Sequence, residues 1–486
     1  MDRNRIAALL EDMEAALLES GHARTPAGAA VLDAVAQARS DDWSASHLLK
    51  DDDFGLLLAA MAPESREFSA RNLDRLIALH GASYEALVLA ADLSLSLDLS
   101  ETCRTAADAA LEIAPHSPQA TALRGRALSA LGDLSGGIDA LRRATLLQPG
   151  YGEAHRRLAD ELRYANMLDG AIDHYRRALS IDPGDDAAEK GLEIALAAAI
   201  PPWQTPMLND GIRNAAFDGA IRRAVKPGMR VLDIGTGTGL LAMMAVRAGA
   251  AHVTAVERIG VLAETARKII ADNGMAERIT VLHKSSMAAE IGEDMPEAAD
   301  LLVAEIVDAG LLAEGVLSSF TDAKERLLKP GARIIPEGAT VIAAPIESDC
   351  VTAMFHCDEA SGFDLSAYEE IAPRLHLQAD LHRIAWQPLA RPVEVFTFDF
   401  ANTPDAPEEA DHKIIPLADG TAGAVAFWFA LRLDNRNTLS TGPEAPPTHW
   451  QQAVAPLRPP VDLCQNQPVR LIARHDAEIV RFEVKA

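Results

Sequence analysis

Residues 229–257 read MRVLDIGTGTGLLAMMAVRAGAAHVTAVE. An apolar run meets three glycines, continues as an apolar stretch of helical length, and gives way to a second β-branched run that stops at Glu257. This is the order strand, glycine loop, helix, strand. Parallel strands joined by a crossover helix form sheets covered by helices on both faces, so the segment predicts an open α/β domain. In such a sheet ligands bind beyond the carboxyl ends of the strands, where both the glycine loop and Glu257 fall. The glycines are Gly235, Gly237 and Gly239, evenly spaced, with Asp233 two residues before the first. A dinucleotide fingerprint places its third glycine three residues after the second, and this loop does not. Even spacing still lets the backbone pass close to a ligand without Cβ clashes. Asp233 is expected to order the loop through backbone amides, and Glu257 can accept hydrogen bonds from both hydroxyls of a ribose.

A second strand lies in EAADLLVAEIVDAGLLAEG, residues 297–315, with Glu305 at its carboxyl end and Glu314 nine positions later. A helix would turn about 900° between them and place them on opposite faces, so they meet only if the chain folds back. A strand end followed by a loop allows that. Two carboxylates brought together raise one another's pKa unless a cation lies between them. Guanidinium suits the position, because its planar fork offers donors on two edges and stays charged at neutral pH. Asp308, three residues after Glu305, either orders this loop or touches the same ligand.

Pro115, Pro149 and Pro183 are 34 residues apart, Ala110, Ala144 and Ala178 recur in the same register, and Ala91, Gly125 and Ala159 supply a small position. This is the tetratricopeptide period. Each unit is a helix pair that cannot bury its apolar face alone, so residues 83–195 should stack into one solenoid with a concave groove. Residues 1–82 look helical but show no repeat. Pro201 and Pro202 break the helical pattern at the entrance to the next domain. After residue 335, alternating segments such as VEVFTFDF (393–400) and GAVAFWFALRL (423–433) predict antiparallel strands.

The formal net charge of −26, from 71 acidic and 45 basic residues, argues against a nucleic acid and for a cationic ligand. Four scattered cysteines without CxxC spacing point to neither a zinc site nor a disulfide framework. The sequence lacks a signal peptide's apolar core and any run of about 20 apolar residues, which predicts a cytoplasmic protein, with a nuclear one as the alternative.

The evenly spaced glycines resemble the S-adenosyl-L-methionine loop of Rossmann-like methyltransferases. With the two glutamates, the chain is similar to the protein arginine methyltransferase family, whose "double-E" loop surrounds a substrate arginine; Glu305 and Glu314 match it. MLNDGIRN (207–214) resembles the family's entry helix. The resemblance implies that Arg213 contacts the cofactor carboxylate, that Asp210 pairs with His449 of a Thr448-His449-Trp450 loop, and that Trp450 walls the substrate. It also places Met207, Ser286 and Met287 near the cofactor, and it identifies 361–385 as a dimerisation arm. EIVDAGLLAEG together with the repeats is most similar to the repeat-bearing branch of the family. The resemblance implies a Rossmann-like domain over 203–335 and a β-barrel substrate domain over 336–486. It further implies methyl transfer to arginine in a protein docked on the repeats, giving symmetric dimethylarginine or monomethylarginine, and a dimer formed through the arm or the repeats. A catalytically silent repeat scaffold and a methyltransferase of small guanidino compounds are the alternatives.

Overall fold

The computed structural model describes residues 66–78 and 83–485. The expected helical region at 1–82 lies outside them, apart from helix α1 (Arg66–Ala78). The chain divides into two compact units, with the boundary between Ala199 and Ile200.

In the first unit α1 is followed by α2 (Tyr84–Ser96), α3 (Ser100–Ile113), α4 (Pro118–Ala130), α5 (Leu134–Leu147), α6 (Gly152–Tyr164), α7 (Leu168–Ile181) and α8 (Asp186–Ala199). Local chemistry starts several of them. Ser83, Ser117 and Asp133 are N-caps whose side chains accept the amides of Ala86, Ala120 and Gly136, and Pro118 opens α4 where no amide donor is needed. Ala110, Ala144 and Ala178 are buried at the expected helix contacts. A Cβ on Gly125 would lie 3.0 Å from the Gly137 carbonyl oxygen, which explains the small residue there. The period extends to a feature the composition does not advertise: Asp98 (φ 56°), Gly132 (φ 94°) and Asn166 (φ 58°), again 34 apart, turn the chain between the two helices of each pair. These are the residue types that tolerate the left-handed region.

The second unit opens with α9 (Gln204–Asn209) and α10 (Gly211–Ala224), then builds a five-stranded parallel sheet of order β3-β2-β1-β4-β5. Its strands are β1 (Arg230–Ile234), β2 (His252–Glu257), β3 (Ile279–His283), β4 (Ala299–Ala304) and β5 (Leu328–Ile335). Helices α11 (Leu240–Arg247), α12 (Gly260–Asp272) and α13 (Val316–Arg326) return the chain between strands. The registers Ile234↔Val256 and Ile234↔Ala304 bring the ends of β1, β2 and β4 side by side, so the glycine loop, Glu257 and Glu305 leave the same sheet edge.

The remainder is antiparallel. A seven-stranded sheet is centred on β6 (Gly338–Glu347) and the long strand Gly420–Asp434, and a separate three-stranded sheet joins Glu408–Ile414, Val469–His475 and Val480–Lys485. The expected barrel does not close: the larger sheet ends in strands of two and three residues, Gln387–Pro388 and Leu377–Ala379, and Pro388 has no amide to donate to a further partner. The expected arm segment carries exposed Phe363, Tyr368 and Ile371. Both halves share one apolar core, reinforced where Arg223 on α10 meets Asp434 at 2.6 Å and Asn437 donates to the Ala216 carbonyl at 2.9 Å. No helix among the described residues is long and apolar enough to cross a membrane.

Candidate active site

The glycine loop is built as its spacing predicts. Gly235, Gly237 and Gly239 have φ of 71°, 55° and 86°, and added Cβ atoms would lie 2.4 Å from Ile306, 2.9 Å from Gln204 and 2.9 Å from Ile270. Both conformation and space therefore demand glycine. Asp233 is fully buried and accepts the Thr236 hydroxyl at 2.6 Å, so a side chain joins the backbone amide of Ala242 in holding the carboxyl that was expected to work through amides alone. Burial pushes its carboxyl up to about 7, against the Thr236 hydrogen bond and the Arg213 charge. Glu257 accepts the amides of Gly237 at 2.9 Å and Ile259 at 2.8 Å. Burial raises its pKa, opposed by those amides.

Arg213 is buried on α10, whose N-cap Asp210 accepts the Arg213 amide at 2.8 Å. Its guanidinium donates to Glu305 Oε2 at 2.5 Å and to Asn214 at 2.9 Å. Asp210 also accepts the His449 amide at 2.9 Å and lies 3.0 Å from His449 Nδ1, so the Asp210–His449 pair exists as the resemblance implies. Burial lowers the His449 pKa, while Glu305 and Asp210 pull it up and Arg213 opposes them; the net shift is downward. Thr448 and Trp450 are buried beside it. The Trp450 indole N–H donates to the Val307 carbonyl at 2.8 Å, which fixes the ring against the glutamate loop.

Glu305 and Glu314 are brought to one place by that loop. Glu314 is exposed over the residue as a whole, yet the protein packed around its carboxyl pushes it up to about 8, and repulsion from Glu305, Asp308 and Glu257 acts in the same direction against the Arg258 charge. Asp308 is held differently. It meets His376 at 2.7 Å and accepts the Ala313 amide at 3.0 Å. Burial would raise its pKa, but His376 and the loop amides outweigh this and hold it low.

Ser286 is buried after β3, and Met287 beside it is exposed, both carbonyls being bonded by Arg326. Met207 is half-buried on α9. The sequence reading missed Gln204, which is buried against Gly237 with its Nε2 lacking a partner in the structure. It missed His376 as well. A lone glutamine in a six-residue helix and a lone histidine 68 residues from its partner carry no periodic signal.

The profile described as Ribosomal protein L11 methyltransferase matches residues 219–356, that of the Arginine methyltransferase oligomerization subdomain matches 337–479, and a Tetratricopeptide repeat profile matches 152–185. An Arginine N(omega)-methyltransferase of Streptomyces achromogenes is 39% identical over 56% of this chain and 75% of its own length. The chain belongs to the protein arginine methyltransferase family. Other family members match less of their length: Protein arginine N-methyltransferase 7 of Oryza sativa is 33% identical over 57% of this chain and 44% of its own. Protein arginine N-methyltransferase 9 of Mus musculus is 32% identical over 54% and 35%. The fold agrees with a solved arginine methyltransferase, the PRMT1 enzyme–prozyme heterotetrameric complex with AdoHcy of Trypanosoma brucei. Its TM-score is 0.51 at 23% identity, covering 59% of this chain and 98% of that one.

Proposed function

We propose that this protein transfers a methyl group from S-adenosyl-L-methionine to a guanidinium nitrogen of arginine in a protein substrate. The observation that carries the reading is the convergence of Glu305 and Glu314 beside the glycine loop, where removal from bulk water and, after it, repulsion from Glu305 push the Glu314 carboxyl up to about 8. A guanidinium between the two carboxylates relieves that repulsion.

The residues fit the cofactor. The glycine loop packs so closely on Ile306, Gln204 and Ile270 that no Cβ is tolerated, and the buried Gln204 Nε2 and Arg213 Nε beside it are donors without partners, suited to a carboxylate. Glu257 would take the ribose hydroxyls, Ser286 and Met287 would border the adenine, and Met207 the methyl group. Bound there, the cofactor supplies an electrophilic methyl on a sulfonium. Glu305 and Glu314 orient the guanidinium and concentrate lone-pair density on one nitrogen, an electrostatic effect organised in advance of the reaction. Arg213 occupies Glu305 Oε2, which leaves Oε1 for the substrate. The alkylated nitrogen becomes acidic, and its proton leaves to a carboxylate or to His449, which burial holds neutral and Asp210 orients.

The product follows the repeat-bearing resemblance: symmetric dimethylarginine, with monomethylarginine as the runner-up. The repeats are assigned to docking of the substrate protein, and the arm to self-association. A second reading, methylation of free arginine, is favoured by the name of the Streptomyces relative. Incubation with labelled cofactor and either an arginine-rich peptide pool or L-arginine separates the two. Label confined to L-arginine overturns the protein substrate, and label in neither overturns the activity.

A further inference from the structure

The segment from Glu305 to Glu314 must keep two carboxylates at a fixed separation, yet it contains no helix or strand. It also carries local strain. Leu311 has φ 81°, a left-handed conformation that a leucine rarely adopts, and its side chain is fully buried. Such a loop keeps its shape only if its surroundings impose it.

The ties come from the antiparallel half. One is the Trp450 indole bond to Val307. The other passes through Asp308, whose Oδ1 accepts the Ala313 amide inside the loop while Oδ2 meets His376 Nε2 at 2.7 Å. Asp308 therefore clips the two arms of the loop together and fastens them to His376. That histidine is itself immobilised. It precedes the strand Leu377–Ala379, which pairs with Gln452–Val454, and the neighbouring Gln378 donates to the carbonyls of His449 and Trp450. Its ring stands edge-on to Phe427 at 5.3 Å between centroids. The loop backbone closes on the imidazole so tightly that a Cβ on Gly310 would lie 2.6 Å from His376 Cε1.

We propose that His376 is a positioning residue for methyl transfer, acting through Asp308 to set the relation between the Glu305 and Glu314 carboxylates. The inference rests on the arginine methyltransferase reading above, and it makes Asp308 an anchor of the glutamate loop, not a ligand of the substrate. His376 reaches the reaction only through Asp308.

The test uses the full chain and four variants: His376→Leu, His376→Gln, Asp308→Asn and the double variant His376→Leu with Asp308→Asn. Steady-state methylation of an arginine peptide gives kcat and KM, and calorimetry with S-adenosylhomocysteine reports an intact nucleoside site. Misplaced carboxylates should lower kcat by about 10- to 100-fold in His376→Leu, with KM shifting less and S-adenosylhomocysteine affinity within about 2-fold. His376→Gln keeps a donor towards Asp308 and should recover most of kcat. The double variant should be no worse than the poorer single variant, as expected for two residues acting as one unit. Unchanged kcat in His376→Leu, multiplicative losses in the double variant, failure of His376→Gln to recover kcat, or a parallel loss of S-adenosylhomocysteine affinity each overturns the proposal. A wild-type chain inactive on arginine removes the reading beneath it and this proposal together, whereas an active wild type with an insensitive His376→Leu overturns only this one.

Discussion

Arg213 Nη2 and Glu305 Oε2 lie 2.5 Å apart, with both side chains almost completely withdrawn from solvent. The Arg213 charge also acts on Asp233 at the glycine loop while Glu305 belongs to the glutamate pair, so a single buried bond joins the candidate cofactor and substrate subsites. Removing one partner of a buried ion pair leaves an uncompensated charge and costs about 3–5 kcal/mol. Arg213→Met should lose that much unfolding free energy in urea titrations, and adding Glu305→Gln should restore part of it. Equal stability of Arg213→Met and wild type would show that the pair does not persist in solution.

Glu257→Ala should impair two properties at once. It deprives the Gly237 and Ile259 amides of their acceptor and removes the group assigned to the ribose. Affinity for S-adenosylhomocysteine should fall by about 1.5–3 kcal/mol, the range for hydrogen bonds to a charged group. The thermal midpoint should fall as well. An unchanged dissociation constant would exclude Glu257 from the site.

Glu314 should make both stability and substrate affinity depend on pH. Its pKa is raised from 4.5 to about 8 in the folded chain, so the folded state favours the protonated carboxyl. The raised value carries no penalty below 4.5, where both states are protonated, and an increasing one as pH rises towards 8. Glu314→Gln should flatten the decline of stability across that interval in denaturant titrations, the more modestly because the group is partly open to solvent. A guanidinium favours the ionised form, so binding an arginine peptide at neutral pH should release protons. Calorimetry in buffers of different ionisation enthalpy would detect them, and proton uptake would contradict the assignment.

Every residue assigned to the cofactor lies after Ile200, in the second unit. Deleting residues 1–199 should leave S-adenosylhomocysteine affinity nearly intact while sharply reducing methylation of a natural protein substrate, with short peptides affected less. Equal losses on protein and peptide would assign the repeats a purely structural role.

What the sequence disclosed was local. The glycine spacing identified the loop because each glycine meets a nearby steric demand, and the 34-residue period fixed the repeats because each turn repeats the same backbone requirement. The two glutamates could be joined because a strand end and a fold-back are both visible within eleven residues of text. Pairs that link distant segments were not legible. His376 and Asp308 are 68 residues apart, and nothing near either announces the other. Gln204 gains its meaning only from the space above Gly237. Asp233 was legible at the loop but its Thr236 partner was not, since a threonine hydroxyl and a backbone amide satisfy a carboxylate equally well. Barrel closure depended on edge strands of two and three residues, too short to leave a pattern.

The left-handed turns at Asp98, Gly132 and Asn166 have a bearing on how the chain can change over generations. A stretch of 34 residues excised at one of these turns and duplicated brings its own reversal and its own small contact position. The number of repeats can thus be edited in whole copies, lengthening or shortening the helical stack without rewriting any codon after Ile200. On the docking role proposed for the repeats, the length of the stack and the residues around the glycine loop can then change on separate evolutionary schedules.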